Sequence, residues 1–144
     1  MPILDDAPAA FLDSRRIAYL ATASAAGVPH VVPICFARIG DRLYVALDEK
    51  PKRRAPLRLR RVRNILENPR VAVVADDYDE DWSKLRFLLM SGSAHIVTAG
   101  EEHTAAVAAL RARYPQYRHM ALEERPLIAV EVERASAWGT SPAD

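Results

Sequence analysis

The residues best equipped for chemistry lie in one stretch, Asp48-Glu49-Lys50-Pro51-Lys52-Arg53-Arg54, and in the basic run that continues to Arg63. Eight of the fourteen residues from Lys50 to Arg63 are Lys or Arg and none is acidic, in a chain whose formal net charge is only +1. Charge this local asks for a local anion. The stretch follows Leu43-Tyr44-Val45-Ala46-Leu47, which alternates as a strand does, and it leads into a helical pattern. Where a strand runs into a helix, backbone N–H groups and basic side chains converge, and a phosphate or another compact anion is often held there. The run therefore marks a candidate cofactor binder. Two plainer readings stay open, a solvated helix face and a nucleic-acid surface. A nucleic-acid binder normally shows a basic domain or a reader motif; this chain has neither, and no nucleic-acid partner is expected.

Other residue groups are weaker. Asp76-Asp77-Tyr78-Asp79-Glu80-Asp81 is acidic but lacks the Gly and terminal Glu of a calcium-binding loop. It reads as a solvated loop, or as one that answers the basic run across a dimer. His30, His95, His103 and His119 are scattered, and His30 and Cys35 face opposite sides of one strand, so no metal site is expected. Cys35 lies between Ile34 and Phe36 and reads as a small buried hydrophobe. Thr22 ends a strand and is either a cofactor donor or an ordinary strand residue. Trp82 and Trp138 suit either stacking on a ring system or interface packing. The five glycines are scattered singly and make no phosphate-binding loop.

The elements that must position these residues follow from periodicity. Ala9 to Arg16 reads as a short helix, Ile17 to Thr22 as a strand, and Ala25 to Pro29 as a turn. His30 to Ile39 reads as one strand whose Pro33 places it at an edge or a bulge. Gly40-Asp41 makes a two-residue hairpin into the strand Leu43 to Leu47. Ala55 to Glu67 reads as a helix with Leu59, Val62 and Leu66 on one face and Arg54, Arg58 and Arg61 beside it, ended by Asn68-Pro69. Val71 to Ala75 is a buried strand. Leu85 to Met90 and Ala94 to Thr98 flank Ser91-Gly92-Ser93, where the Gly suggests a bulge. Glu101 to Tyr114 is a helix with acids at its start and Arg111 and Arg113 near its end. Leu127 to Glu133 is the last strand. Short connections and few intervening helices favour an all-β core with helices (α+β), a six-stranded antiparallel barrel, over a parallel sheet.

Composition sets the frame. At 144 residues, 50% hydrophobic and 27% charged, the chain reads as a single domain spanning 1–144 with a real core. No apolar run approaches the ~20 residues of a membrane span, so no membrane partner is expected. The first residues show no signal-peptide pattern, and one cysteine forbids an intrachain disulfide; a cytoplasmic location is expected.

The ordered set Ala21-Thr22, Gly27-Val28-Pro29-His30 with Pro33, Leu43-Tyr44-Val45 leading into Asp48-x-Lys50-Pro51-Lys52, Asn68-Pro69-Arg70-Val71, and Asp77-Tyr78-x-x-Asp81-Trp82-x-x-Leu85-Arg86 before Gly92 resembles the flavin-binding split-barrel proteins of the pyridoxamine 5'-phosphate oxidase class. It looks most like the actinobacterial branch of coenzyme F420-dependent enzymes. The resemblance implies a six-stranded split barrel, a homodimer, and coenzyme F420, with flavin mononucleotide (FMN) as the alternative, in a groove at the dimer interface. It places the ring along the strand backbone at Val32, Pro33 and Ile34; Thr22 as donor and Trp82 by stacking are the side chains expected to meet the cofactor. The anionic tail falls on Lys50, Lys52, Arg53 and Arg58, with Arg54 and Arg61 as possible helpers. The expected activity is hydride transfer to or from a small-molecule substrate, with no side chain assigned as catalytic. The alternatives are an FMN-dependent oxidase or reductase, and a non-catalytic flavin- or tetrapyrrole-binding protein. The C-terminal residues Ala137-Trp138-Gly139-Thr140-Ser141 lack the basic and His set of enzymes acting on pyridoxamine phosphate, which leaves the substrate open.

Overall fold

Seven strands and three helices form among the described residues, 2–47 and 59–139, of the computed structural model. In chain order they are α1 (Asp6–Ser14), β1 (Ala18–Ala23), β2 (Pro29–Ile34), β3 (Ala37–Ile39), β4 (Arg42–Ala46), α2 (Arg60–Glu67), β5 (Arg70–Asp77), β6 (Arg86–Val97), α3 (Glu101–Arg113) and β7 (Leu127–Gly139). The strands make one antiparallel sheet in the order β2-β1-β5-β6-β7-β4-β3, curled into a half-barrel.

The expected count of six strands is corrected to seven. The run from His30 to Ile39 breaks at Cys35-Phe36, and its halves, β2 and β3, lie on opposite edges of the sheet. Phe36 is fully buried and its N–H donates to the Tyr114 hydroxyl at 3.1 Å, so the ladder cannot continue through it. β2 is an edge strand, as Pro33 requires. Pro29 and Pro33 share one parity on it, so the donors they lack fall on the same side of the strand. Gly40-Asp41 forms the expected turn, with Ile39 paired to Arg42 and Gly40 at φ 62. Asp41 also anchors the N-terminal segment. Its carboxylate accepts the N–H groups of Ile3 and Leu4, both at 2.8 Å, and these bonds hold its pKa below the usual range.

The middle of the sheet is buried on both faces. Leu43 and Val45 of β4, with Ile128, Val130 and Val132 of β7, point into the curl beside Leu12, Leu20, Phe36, Val73 and Met90. Tyr44, Ala46, Leu127 and Ala129 point outward and are covered by Ala106, Val107 and Leu110 of α3, with Tyr114 and Tyr117. This is why Leu127-Ile128-Ala129-Val130 shows no alternation of polarity. Arg113 closes the end of α3 by donating to the backbone carbonyls of Asp13 and Arg15 while lying over the Phe36 ring at 4.8 Å. On α2 the buried pair is Val62 and Ile65. Leu66, expected on that face, is 64% exposed, because the side of α2 that packs against β1 and β6 is the one carrying Val62 and Ile65.

β6 runs unbroken through Gly92, and the irregularity falls opposite. Ser91 pairs with Arg134 and Gly92 with Val132, so Glu133 is left over as a bulge. A Cβ on Gly92 would lie 1.9 Å from the Glu131 carbonyl oxygen, a backbone atom that cannot swing away. Gly92→Ala is therefore expected to cost about 2–3 kcal/mol or more, read as a lower denaturant midpoint at unchanged slope. Glu102 of α3 accepts from the Tyr44 hydroxyl at 2.7 Å and from Arg42 at 2.8 Å, and these partners lower its pKa from 4.5. A carboxylate held below its unfolded pKa contributes stability above that value and loses it as pH falls through the folded one. Glu102→Gln should therefore destabilise the protein at pH 7 and much less at pH 3; equal losses by chemical denaturation at both would refute this coupling.

Candidate functional site

The polar chemistry gathers where α2 crosses β1. The N-cap of α2, Leu59, brings no oxygen, and the first turn carries Arg60 and Arg61 but no acid. A helix start normally favours negative side chains, and among the described residues none offsets this positive end. On its underside, between Val62 and Ile65, Asn64 is only 1% exposed and donates through Nδ2 to Thr22 Oγ1 at 3.0 Å. Thr22 is itself buried, at 3% exposure, and pairs across β1 and β2 with His30. Among the described residues, three buried side-chain atoms, His30 Nδ1, Arg61 Nε and Asn64 Oδ1, have no hydrogen-bond partner. Buried polar atoms are nearly always partnered, so each orphan calls for an explanation.

The second feature is the outer face of the sheet, which α3 covers at one end only. Across the other end run Pro33, Tyr19, Val74, Leu89 and Ser136 in one row and Val31, Ala21, Ala72, Ser91 and Arg134 in the next. Val31 (64%), Tyr19 (41%) and Leu89 (45%) are exposed, and Trp138 stacks on Phe87 with ring centroids 5.7 Å apart on the same face. A groove of about 660 Å³ lies here, lined by Pro2, Ile3, Ala72, Leu89, Ser91 and Arg134 among others. Arg134 faces this groove only because of the bulge at Glu133. Without the extra residue it would share the inward parity of Val130 and Val132.

Of the sequence-expected site residues, the structure pairs Thr22 with His30 across β1 and β2, and Arg61 lies in the first turn of α2, one turn before the Asn64 that bonds Thr22. Pro33 stands on the outer face beside Tyr19, whereas the side chains of Val32 and Ile34 pack into the core, leaving their backbone as the part able to meet a ring. Lys50, Lys52, Arg53, Arg54 and Arg58 lie outside the described residues. Trp82 is 70% exposed and donates to the Tyr78 hydroxyl at 3.3 Å. It follows the end of β5 remote from Ala72, which pairs with Ala21, so strand length alone separates it from Thr22 by roughly 15–20 Å. Asn64 was missed. Its one sequence signal is a poor helix former set between the apolar positions 62 and 65. Arg134 has no such signal, since the bulge reverses its parity. Among the described residues no group of three His, Cys, Asp or Glu side chains is placed to hold a metal ion. No described helix is long and apolar enough to cross a membrane.

A curled antiparallel half-barrel with three helices, part of its outer face bare and a basic helix start beside a buried polar cluster, is a split-barrel α+β fold. The chain belongs to the pyridoxamine 5'-phosphate oxidase family, whose family model matches residues 4–139. No curated protein matches the sequence. Among solved structures, the conserved hypothetical protein Rv2991 from Mycobacterium tuberculosis is similar at 24% identity and TM-score 0.74, over 91% of this chain and 81% of that one. The haem storage protein HutZ from Vibrio cholerae is similar at 17% identity and TM-score 0.69, over 96% and 95%. An FAD-binding protein from Mesorhizobium loti is similar at 19% identity and TM-score 0.69, over 90% and 87%. These likenesses establish the fold.

Proposed function

We propose that this protein binds coenzyme F420 and serves hydride transfer between its deazaflavin ring and a small organic substrate. The observation that carries the reading is the start of α2. An uncapped helix end with Arg60 and Arg61, no acid in its first turn and an orphaned Arg61 Nε follows directly on the basic run from Lys50. That arrangement is unfavourable for a helix by itself and favourable once an anion is present. Lys50, Lys52, Arg53 and Arg58 hold the anionic tail, Thr22 lies at its inner end, and the β2 backbone from Val32 to Ile34 supports the ring. The deazaflavin supplies the redox chemistry when bound. The protein supplies position, positive charge and exclusion of water. FMN is the alternative ligand of the same site, since it shares the phosphate.

Among the described residues the groove lining carries one charged side chain, Arg134, and no His, Cys, Asp or Glu. That suits a positional mechanism, and it suits equally the second reading, a non-catalytic flavin or tetrapyrrole binder. The second reading is favoured by a structural relative that stores haem. The bare apolar face is proposed to pair with a second copy, making the protein a homodimer with the cofactor groove at its interface.

Titrating the protein in parallel with F420, FMN and haem, followed by tryptophan emission, tests the assignment. F420 alone should bind tightly, and Lys50→Ala with Lys52→Ala should weaken it at least tenfold, about 1.4 kcal/mol, at unchanged melting temperature. Preference for haem, or affinity indifferent to both lysines, would sink it. By light scattering at micromolar concentration the protein should be a dimer and Leu89→Glu a folded monomer. A wild-type monomer would remove the shared groove.

A further inference from the structure

The bare outer face carries one acid and one base, and neither is answered. Asp76 follows Ala72 and Val74 on the outward side of β5, and it stands beside Phe87 and Trp138 in the row next to Leu89. Asp76 and Arg134 are both exposed, and among the described residues neither has an ion-pair partner. Their surroundings are settled differently. Arg70, farther along the same face of β5, pairs with Glu133 at 3.2 Å, and Asp77 on the inner side holds Arg15 and Arg86. Asp76 pairs across the ladder with Phe87 and Arg134 with Ser91, so Leu89 stands midway between the two charges, both along the strands and across them. Two strand spacings and four residues of rise separate them by roughly 16 Å, too far to meet within one chain.

A face with an acid and a base set evenly about an apolar centre is complementary to itself. A two-fold axis lying between two facing sheets, above Leu89 and perpendicular to the line from Asp76 to Arg134, exchanges those two positions. Each copy's Asp76 then meets the partner's Arg134, and the two Leu89 side chains meet each other. Packed sheets stand about 10 Å apart, a gap that an arginine and an aspartate span together. We propose that this face is a self-complementary dimer surface whose register is set by two symmetric Asp76–Arg134 ion pairs around a Leu89 contact. The inference rests on the pairing of this face with a second copy and names the side chains that fix it. It also gives the bulge at Glu133 a purpose, since without it Arg134 would turn inward and leave the face an acid with no base. A small organic acid bound to Arg134 is the rival occupant, and it leaves Asp76 unexplained.

The experiment measures dimer dissociation of the full chain by sedimentation over a dilution series, for wild type and for the charge reversals Asp76→Arg and Arg134→Asp. Melting temperature checks that each variant folds. Either reversal alone sets two like-charged pairs in its own dimer and should weaken self-association at least tenfold, because water is excluded between packed sheets and like charges there repel strongly. Mixed one to one, the two variants restore opposite charges at both contacts. A heterodimer of near wild-type affinity should therefore form, resolved by native mass spectrometry. The double variant Asp76→Arg/Arg134→Asp should self-associate as wild type does. Should a reversal fail to fold, Asp76→Asn and Arg134→Gln keep the test, each weakening the dimer at low salt and approaching wild type at high salt, where the ion pairs are screened. A wild-type dimer indifferent to both reversals, or variants that weaken without rescuing each other, would overturn the ion pairs while keeping the second copy. A wild-type protein that stays monomeric would remove the dimer itself, and this register with it.

Discussion

The close approach of β6 to β7 at Gly92 is the constraint on which the rest of the structure depends. With the Glu131 carbonyl oxygen 1.9 Å from where a Cβ would stand, the two longest strands meet more tightly than any side chain permits, and the Glu133 bulge sits beside that contact. Bulges bend a strand and increase its twist. Here the bend lets a single sheet hold an interior core around Leu20, Phe36 and Met90 and still turn its outer face toward α3 at one end. The same extra residue reverses the sidedness of everything after it, so Ala135 packs inward while Arg134, Ser136 and Trp138 reach the outer face. Fold and candidate groove thus share one backbone irregularity.

Charge is distributed according to the same division. The arginines of α3 are occupied, with Arg113 on backbone carbonyls and Arg111 on Glu123, whose pKa that contact helps pull down to about 2. Arg15 and Arg86 both reach Asp77. Arg61 and Arg134 are different, since neither has a carboxylate within reach among the described residues. One lies in the first turn of α2, one turn before Asn64, and the other lines the bare groove. Cations left without acids near a cleft are better explained by ligands or partners than by stability, because exposed ion pairs contribute little to folding.

Much of this was legible in the chain. The Gly40-Asp41 turn, the Gly92 irregularity, α3 with its acidic start and basic end, and the edge position of Pro33 each follow from local stereochemistry, and local stereochemistry is what a sequence displays. The break at Cys35-Phe36 was not legible, because the group that takes up the Phe36 N–H is Tyr114, 78 positions away. Leu66 and Ile65 exchanged roles because either completes a helical stripe with Val62, and only the packing of α2 on β1 and β6 chooses between them. At the site, the basic run announced an anion through its composition alone. Asn64 was silent, since its meaning lies in Thr22, which only tertiary packing brings to it.

An open half-barrel has two sheet edges, β2 and β3, and a free edge is a template on which another chain's strand can polymerise. β3 is only three residues long and gives little purchase. β2 is twice that length and carries prolines at 29 and 33, which interrupt the row of donors a docking strand would need. The prolines that mark this strand as an edge therefore also keep it a terminus. A sheet able to expose apolar residues on its face, where a partner or ligand is wanted, is protected along the side from growing into a fibre.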